Sequence, residues 1–284
     1  SLADTSVSEH FVNMVTRIVH TDRPVYFKEA VMHKEWVDAM NVELEALEEN
    51  DTWEITTLPP GRRKIGSKWI YKIKHCPDGT IERHKARLVI QGCRQLYGKD
   101  FSETFAPVAK MTTVRALLAV AAMKNWSLCQ MDVKNAFLHG DLKEEVYMAL
   151  PKGYTKKGSR ITVGQVETPN EANQVCKLKK SLYGLKQAPT QWFAKLSQAL
   201  IQFGFTKSHS DYSLFIKTTP TSITTVLVYV DDMVIGGDDP TEINNLKRML
   251  SNVFHMKDLG ELSYFLRLEV TKTDQGLFVS QRKY

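Results

Sequence analysis

Residues 226–237 read Val-Leu-Val-Tyr-Val-Asp-Asp-Met-Val-Ile-Gly-Gly, two aspartates set between two apolar runs. Both runs are rich in β-branched or large side chains, so each reads as a buried strand. Together they read as a hairpin, with Asp231 and Asp232 at its tip or beside it. Aspartate is a common turn residue because its carboxylate accepts from nearby backbone N–H groups. Against an ordinary turn, the pair lacks the glycine that a two-residue hairpin favours for positive φ, and Gly236 and Gly237 come too late. Adjacent carboxylates also repel one another unless a cation lies between them. A divalent metal would remove that conflict.

The remaining composition suits a globular enzyme of one large or two modest domains: 284 residues, 43% hydrophobic and 25% charged. No run of 18 apolar residues offers a membrane span, and the first residues lack the basic start and apolar stretch of a secretory signal. Cys76, Cys93, Cys129 and Cys176 are widely spaced, which fits reduced thiols in an intracellular protein better than a zinc knuckle. The net charge of +6 is uneven. Residues 62–99 hold 11 Lys and Arg against Asp78 and Glu82, which leaves about −3 for the rest of the chain. A basic block in an otherwise mildly acidic protein points to a polyanion partner, with a plain solvated face as the alternative.

Along the chain, residues 1–24 read as a linker or lead-in. Residues 27–51 read as one helix whose Trp36, Met40, Leu44 and Leu47 form an apolar stripe. Residues 67–92 read as a hairpin turning at Pro77-Asp78-Gly79. Its period of two puts Trp69, Tyr71 and Ile73 on one face and Lys68, Lys72 and Lys74 on the other, while Arg83, Lys85 and Arg87 share a face of the second strand. Rows of cations on a two-stranded ribbon suit phosphates.

A helix follows from Thr112, then a strand leaving through Asp132 into a short helical or irregular stretch. Residues 155–174 lack periodicity and read as a surface excursion. A basic loop precedes a helix bearing Trp192, Phe193, Leu196 and Leu200, with Gly204 as its stop. Asp239 and Pro240 read as the cap and first position of another helix, and residues 262–284 as a last hairpin. Helices and strands mix without βαβ alternation, which favours an α+β fold over a doubly wound sheet.

Several stretches together resemble one family. They are KWIYKIK…DGTIERHKARLV, ETFAPVAKMTTVRALLAVAA, QMDVKNAFLHGDL, SLYGLKQAP, VYVDDM and MKDLGELSYFL. In this order they are similar to the reverse transcriptase motifs of copia-type LTR retrotransposon Pol polyproteins, from about Val25 to Tyr284. The resemblance implies a right-hand polymerase. Its fingers would occupy residues 25–125 and its palm residues 126–284, with a fingers-side excursion near 140–180 and most of the thumb missing. The palm would be an antiparallel sheet backed by helices.

By the same resemblance Asp132, Asp231 and Asp232 are the catalytic acids. With the backbone carbonyl of Val133 they would hold two Mg²⁺, or Mn²⁺ in its place. Phe137 matches a steric gate against the ribose 2′-hydroxyl; the alternative is a core phenylalanine. Gly184 and Lys186 match a loop beside the incoming base and template, against a generic loop ahead of a helix. Lys85 and Arg87 become candidates for the triphosphate clamp and Arg83 for nucleic-acid contact, against an ordinary exposed strand face. Arg267 stands where the family usually has glycine, in a hairpin that would grip the primer. There it would either touch primer phosphate or spoil a tight turn.

The implied partners are an RNA template, a DNA or RNA primer, deoxynucleoside triphosphates, and the RNase H, integrase and protease domains of a parent polyprotein, with no membrane. The implied location is cytoplasmic, within a virus-like particle. Related polyproteins continue beyond the position of Tyr284, so the expectation is a polyprotein segment or a degenerate insertion. Two other readings stand beside the polymerase: an inactive remnant that retains nucleic-acid binding, and an RNA-dependent RNA polymerase, which Phe137 argues against.

Overall fold

The computed structural model describes residues 23–76, 78–165, 173–273 and 276–281. The expected lead-in before Arg23, Pro77 of the first hairpin turn, and residues 166–172 of the excursion lie outside the described residues. The chain is mixed α and β, with several sheets and few helices. It forms two compact units, residues 1–91 with 147–177, and residues 92–146 with 178–284. The boundary set at 125 from sequence falls inside the second.

The first unit opens with α1 (Phe27–Ala30) and α2 (Lys34–Glu49). One continuous helix was expected here, and the break at 31–33 corrects it. Phe27, Ala30 and Val31 are buried, and so are Trp36, Val37, Met40, Leu44 and Leu47. An unbroken helix would carry the first stripe onto Lys34 and Glu35, so the chain re-phases between them. Strands β1 (Trp53–Thr57) and β2 (Lys64–Ile65) precede the basic hairpin, β3 (Ser67–His75) and β4 (Ile81–Ile90). Trp69, Tyr71, Ala86 and Leu88 form its buried face, where the Tyr71 hydroxyl meets Met40 Sδ at 3.4 Å and Trp36 packs edge-on to His84.

In the second unit come α3 (Met111–Lys124) and β5 (Ser127–Val133), the latter leading into a 3₁₀ turn at Ala136–His139. The chain then returns to the first unit, where β6 (Tyr147–Ala149) and β7 (Gln174–Leu178) join β1 and β2 in a four-stranded sheet ordered β1-β7-β6-β2. Back in the second unit follow α4 (Ala188–Gln202), β8 (Thr206–Lys207), β9 (Leu214–Thr218), β10 (Ile223–Tyr229), β11 (Asp232–Gly237), α5 (Pro240–Val253) and β12 (Met256–Glu261). The last elements are β13 (Tyr264–Phe265), β14 (Leu268–Thr273) and β15 (Gly276–Ser280). These three form a sheet of their own, where a single hairpin was expected, because the chain also reverses at Leu266–Arg267. Asp239 caps α5 as expected, its carboxylate accepting from Thr241 N at 2.8 Å with Pro240 at the first turn.

The second unit is built on a six-stranded sheet ordered β12-β5-β11-β10-β9-β8. Its two faces carry separate cores. Met131, Val133, Val226, Val228 and Met233 pack with Trp192, Leu196 and Leu200 of α4 and Leu246 and Leu250 of α5. On the other face Leu128, Leu227 and Val234 pack with Val114 and Leu118 of α3 and with Phe265, Leu268 and Val270. Gly236 makes room for the neighbouring strand, since a Cβ there would lie 2.7 Å from Leu128 Cδ2 of β5. Burial on both faces makes this sheet a rigid support.

Candidate active site

β5 and β11 pair antiparallel in a register that sets Asp132 directly opposite Asp232. Side chains directly opposite share one face, with Cβ atoms about 4.5–5.5 Å apart. The neighbouring strand β12 brings Lys257 opposite Asp132 from the other side. β10 and β11 pair with Tyr229 opposite Asp232, so the hairpin turn is Val230-Asp231 and Asp232 already belongs to the strand. Of the two turn residues, Val230 is the one in the left-handed region, at φ 56°. A β-branched residue there is a steric outlier.

Three hydrogen bonds fix these groups. Val133 N donates to Asp231 O at 3.0 Å. Trp192 Nε1 donates to Val230 O at 2.7 Å. Gln130 Nε2 donates to Asp232 Oδ1 at 3.3 Å. Burial pushes the Asp232 carboxyl above the usual aspartate range; the Gln130 bond opposes the rise, and the charges of Asp231 and Asp132 add to it. A half-buried carboxylate crowded by two others is a poor resting place for negative charge alone and a good one beside a cation.

The donor set therefore fits a hard divalent ion. Among the described residues no group of three or more His, Cys, Asp or Glu side chains is already gathered as a metal cage. Mg²⁺ does not ask for one, because it binds through one or two carboxylates together with waters and substrate phosphates.

Phe137 lies on the 3₁₀ turn after β5, half-buried, with its ring 4.6 Å from that of Tyr183. Gly184 has φ 95°, and its carbonyl lies so close to Gly92 that a Cβ at 92 would sit 1.9 Å away. Lys186 N donates to Gln95 Oε1 at 2.8 Å, and its ammonium stands 4.7 Å from the Phe101 ring centroid. Gln95 and Gln187 are both buried and bonded to each other, which ties the Gly184–Lys186 loop to the 92–101 segment.

Arg83, Lys85 and Arg87 belong to the first unit, on the face of β4 away from its core. Lys72 pairs with Lys85 and Lys74 with Arg83 directly across the ribbon. Like charges so placed destabilise a sheet unless an anion joins them. The Lys85 ammonium is held below the usual lysine range by burial first, then by Arg87 and Arg83, while Glu43 opposes. Glu43 also accepts from Leu88 N at 3.2 Å. Arg267, at φ 70° beside Leu266 at φ 49°, forms the β13–β14 turn.

Sequence reasoning missed Gln130, Lys257, Glu43 and Trp192. Period two along β5 puts Gln130 on the face of Asp132, so that one was within reach. The others depend on strand order or on contacts dozens of residues away.

The chain belongs to the reverse transcriptase (RNA-dependent DNA polymerase) family, whose model matches residues 50–284. It is 43% identical over 257 residues to the retrovirus-related Pol polyprotein from transposon RE1 of Arabidopsis thaliana, covering 90% of this chain and 17% of that protein. Against the retrovirus-related Pol polyprotein from transposon TNT 1-94 of Nicotiana tabacum it is 40% identical over 274 residues, covering 94% and 20%. The transposon Ty1-GR3 Gag-Pol polyprotein of Saccharomyces cerevisiae is 28% identical over 248 residues, covering 84% and 12%. The resemblance to copia-type Pol polyproteins is thus borne out, and the chain spans no more than 20% of the length of these relatives. Among the described residues no helix is long and apolar enough to cross a membrane.

Proposed function

We propose that this chain is the polymerase core of an RNA-directed DNA polymerase, extending a primer 3′-hydroxyl with deoxynucleoside triphosphates on an RNA template. The observation that carries the reading is the β5–β11 register, which sets Asp132 opposite Asp232 and beside Asp231 on a sheet buried on both faces. In this reading the six-stranded sheet is the palm and the basic ribbon belongs to the fingers. The other Pol domains are partners within a parent polyprotein.

Asp132, Asp231 and Asp232, with the carbonyl of Val133, would hold two Mg²⁺, or Mn²⁺ as a substitute. Bound there, the metal supplies positive charge to the attacking and leaving oxygens of an in-line displacement. Gln130 holds one oxygen of Asp232, which fixes the direction in which that carboxylate faces. Phe137, braced by Tyr183, would crowd a ribose 2′-hydroxyl. Lys85 and Arg87 would meet the triphosphate, Gly184 and Lys186 the incoming base and template, and Arg83 and Arg267 the nucleic-acid backbone.

Primer extension by the purified chain on an RNA template, with deoxynucleotides against ribonucleotides, tests this reading. Deoxynucleotide-selective extension that requires a divalent metal is expected. Nucleic-acid binding without extension by either substrate would support the inactive remnant instead, and ribonucleotide preference the RNA polymerase.

A further inference from the structure

The aspartate turn is held by a residue that neither its chemistry nor its place in the sequence singles out. Trp192 is buried on α4, wedged edge-on against Phe254 at 5.1 Å and beside His139 at 5.7 Å between ring centroids. A buried indole needs an acceptor for its N–H, and many would serve. The acceptor here is Val230 O, the carbonyl immediately before Asp231. Val230 is also the β-branched residue at left-handed φ. Such a conformation persists only where its surroundings over-determine it. On the other side of Asp231, its own carbonyl accepts from Val133 N. The two bonds bracket Asp231 and restrain its backbone beside Asp132 and Asp232.

We infer that Trp192 is a positioning residue, whose indole N–H locks Val230 in its left-handed state and thereby places Asp231 for divalent metal. The inference rests on the metal reading of the aspartates but makes its own demand. The lock matters because residue 230 has a Cβ. With glycine at that position, left-handed φ carries no steric cost, and the turn no longer depends on the indole.

The test is a cycle of Trp192→Phe, Val230→Gly and the double variant, with Mn²⁺ affinity measured by calorimetry, thermal midpoint, and amide exchange at residues 230–232. Trp192→Phe keeps a ring and loses the donor. It is expected to weaken Mn²⁺ binding about tenfold in the parent background, or ~1.4 kcal/mol. In the Val230→Gly background the loss should be less than about twofold, while the thermal midpoint falls in both. Exchange at 230–232 should quicken relative to Val226 and Ile235 in the same hairpin when Val230 is present.

Equal losses of metal affinity in the two backgrounds, or a lowered midpoint with unchanged exchange at the turn, would overturn the inference and leave Trp192 as core packing. A parent chain that binds no Mn²⁺ but shows the expected exchange pattern would overturn the metal reading and leave the lock in place.

Discussion

Asp211 and Asp232 are the same residue type in one compact unit, and the fold treats them in opposite ways. Asp211 is buried and accepts four hydrogen bonds, from Lys110 N (3.1 Å), Thr113 Oγ1 (2.6 Å), Ser213 N (3.0 Å) and Ser213 Oγ (2.6 Å). Burial alone would raise its pKa, but those bonds outweigh it and hold the carboxyl below the usual range. It tethers the start of α3 to the β8–β9 side of the unit. Asp232 has Gln130 and two like charges, and its carboxyl is pushed up. One carboxylate has its charge satisfied by the protein. The other has one hydrogen-bond donor and two like charges beside it, a crowding that either a proton or a bound cation relieves.

The largest expected effect separates the two directly. If Asp231 holds metal as proposed, Asp231→Asn should lower primer extension on the order of a thousandfold or more, because it would remove metal-held charge at the transition state. Asp211→Ala should leave extension per folded molecule close to the parent. Extension rates normalised to folded protein decide it; equal losses in the two variants would erase the distinction.

Stability should run the other way. Asp211→Ala strands donors around a buried site and should cost about 3 kcal/mol in denaturant titration. The native pKa of Asp211 lies below its unfolded one, so its contribution is fully present above about pH 4. It drains away as pH falls through the native value. The gap between parent and variant should therefore shrink in acid. At neutral pH without divalent metal, Asp232→Asn should instead raise the thermal midpoint, since it removes a crowded, half-buried charge. Added Mg²⁺ should stabilise the parent and not that variant.

Phe137 falls between the two cases. Its ring packs on the core and on Tyr183, as a structural residue would, yet it is only half-buried. If it is a gate, Phe137→Val relieves an overpacking cost of roughly 1–3 kcal/mol against the 2′-oxygen. The ratio of deoxynucleotide to ribonucleotide efficiency then falls about tenfold to a hundredfold. A parent-like ratio with lowered stability would place Phe137 with Asp211.

What could be read from the chain follows the same divide. Apolar β-branched runs exposed the aspartate hairpin, period-two alternation the basic ribbon, and apolar stripes α2 and α4, because each pattern is local. Asp239 as a cap was legible for the same reason. The edge strand β12 was not: its residues are largely exposed, and backbone pairing with β5 recruits it without an apolar signature. The sheet β1-β7-β6-β2 draws short strands from distant segments, including the parallel pair β2–β6, so no local window contains it. The four donors of Asp211 and the indole at Val230 likewise come together only in three dimensions. Motifs located the carboxylates; they could not say which neighbours the fold would give each one.

The smallest expected effect concerns the other strained turn of this unit. Leu266 and Arg267 are both left-handed, in a two-residue hairpin that favours Asn-Gly. Val230 is held by a buried indole, whereas Arg267 is exposed. Left-handed φ costs an ordinary residue about 1–2 kcal/mol. Glycine returns about 0.5–1 kcal/mol of that through the greater freedom of its unfolded chain. Arg267→Gly should thus stabilise by about 0.5–1 kcal/mol, read as a later denaturation midpoint at unchanged slope. Function distinguishes the two fates expected for this arginine. If its guanidinium meets a primer phosphate, the glycine variant should also bind primer–template more weakly at low salt, with a salt slope shallower by about one. A stabilised variant with the parent's salt slope would mean that Arg267 strains the turn and contributes nothing to grip.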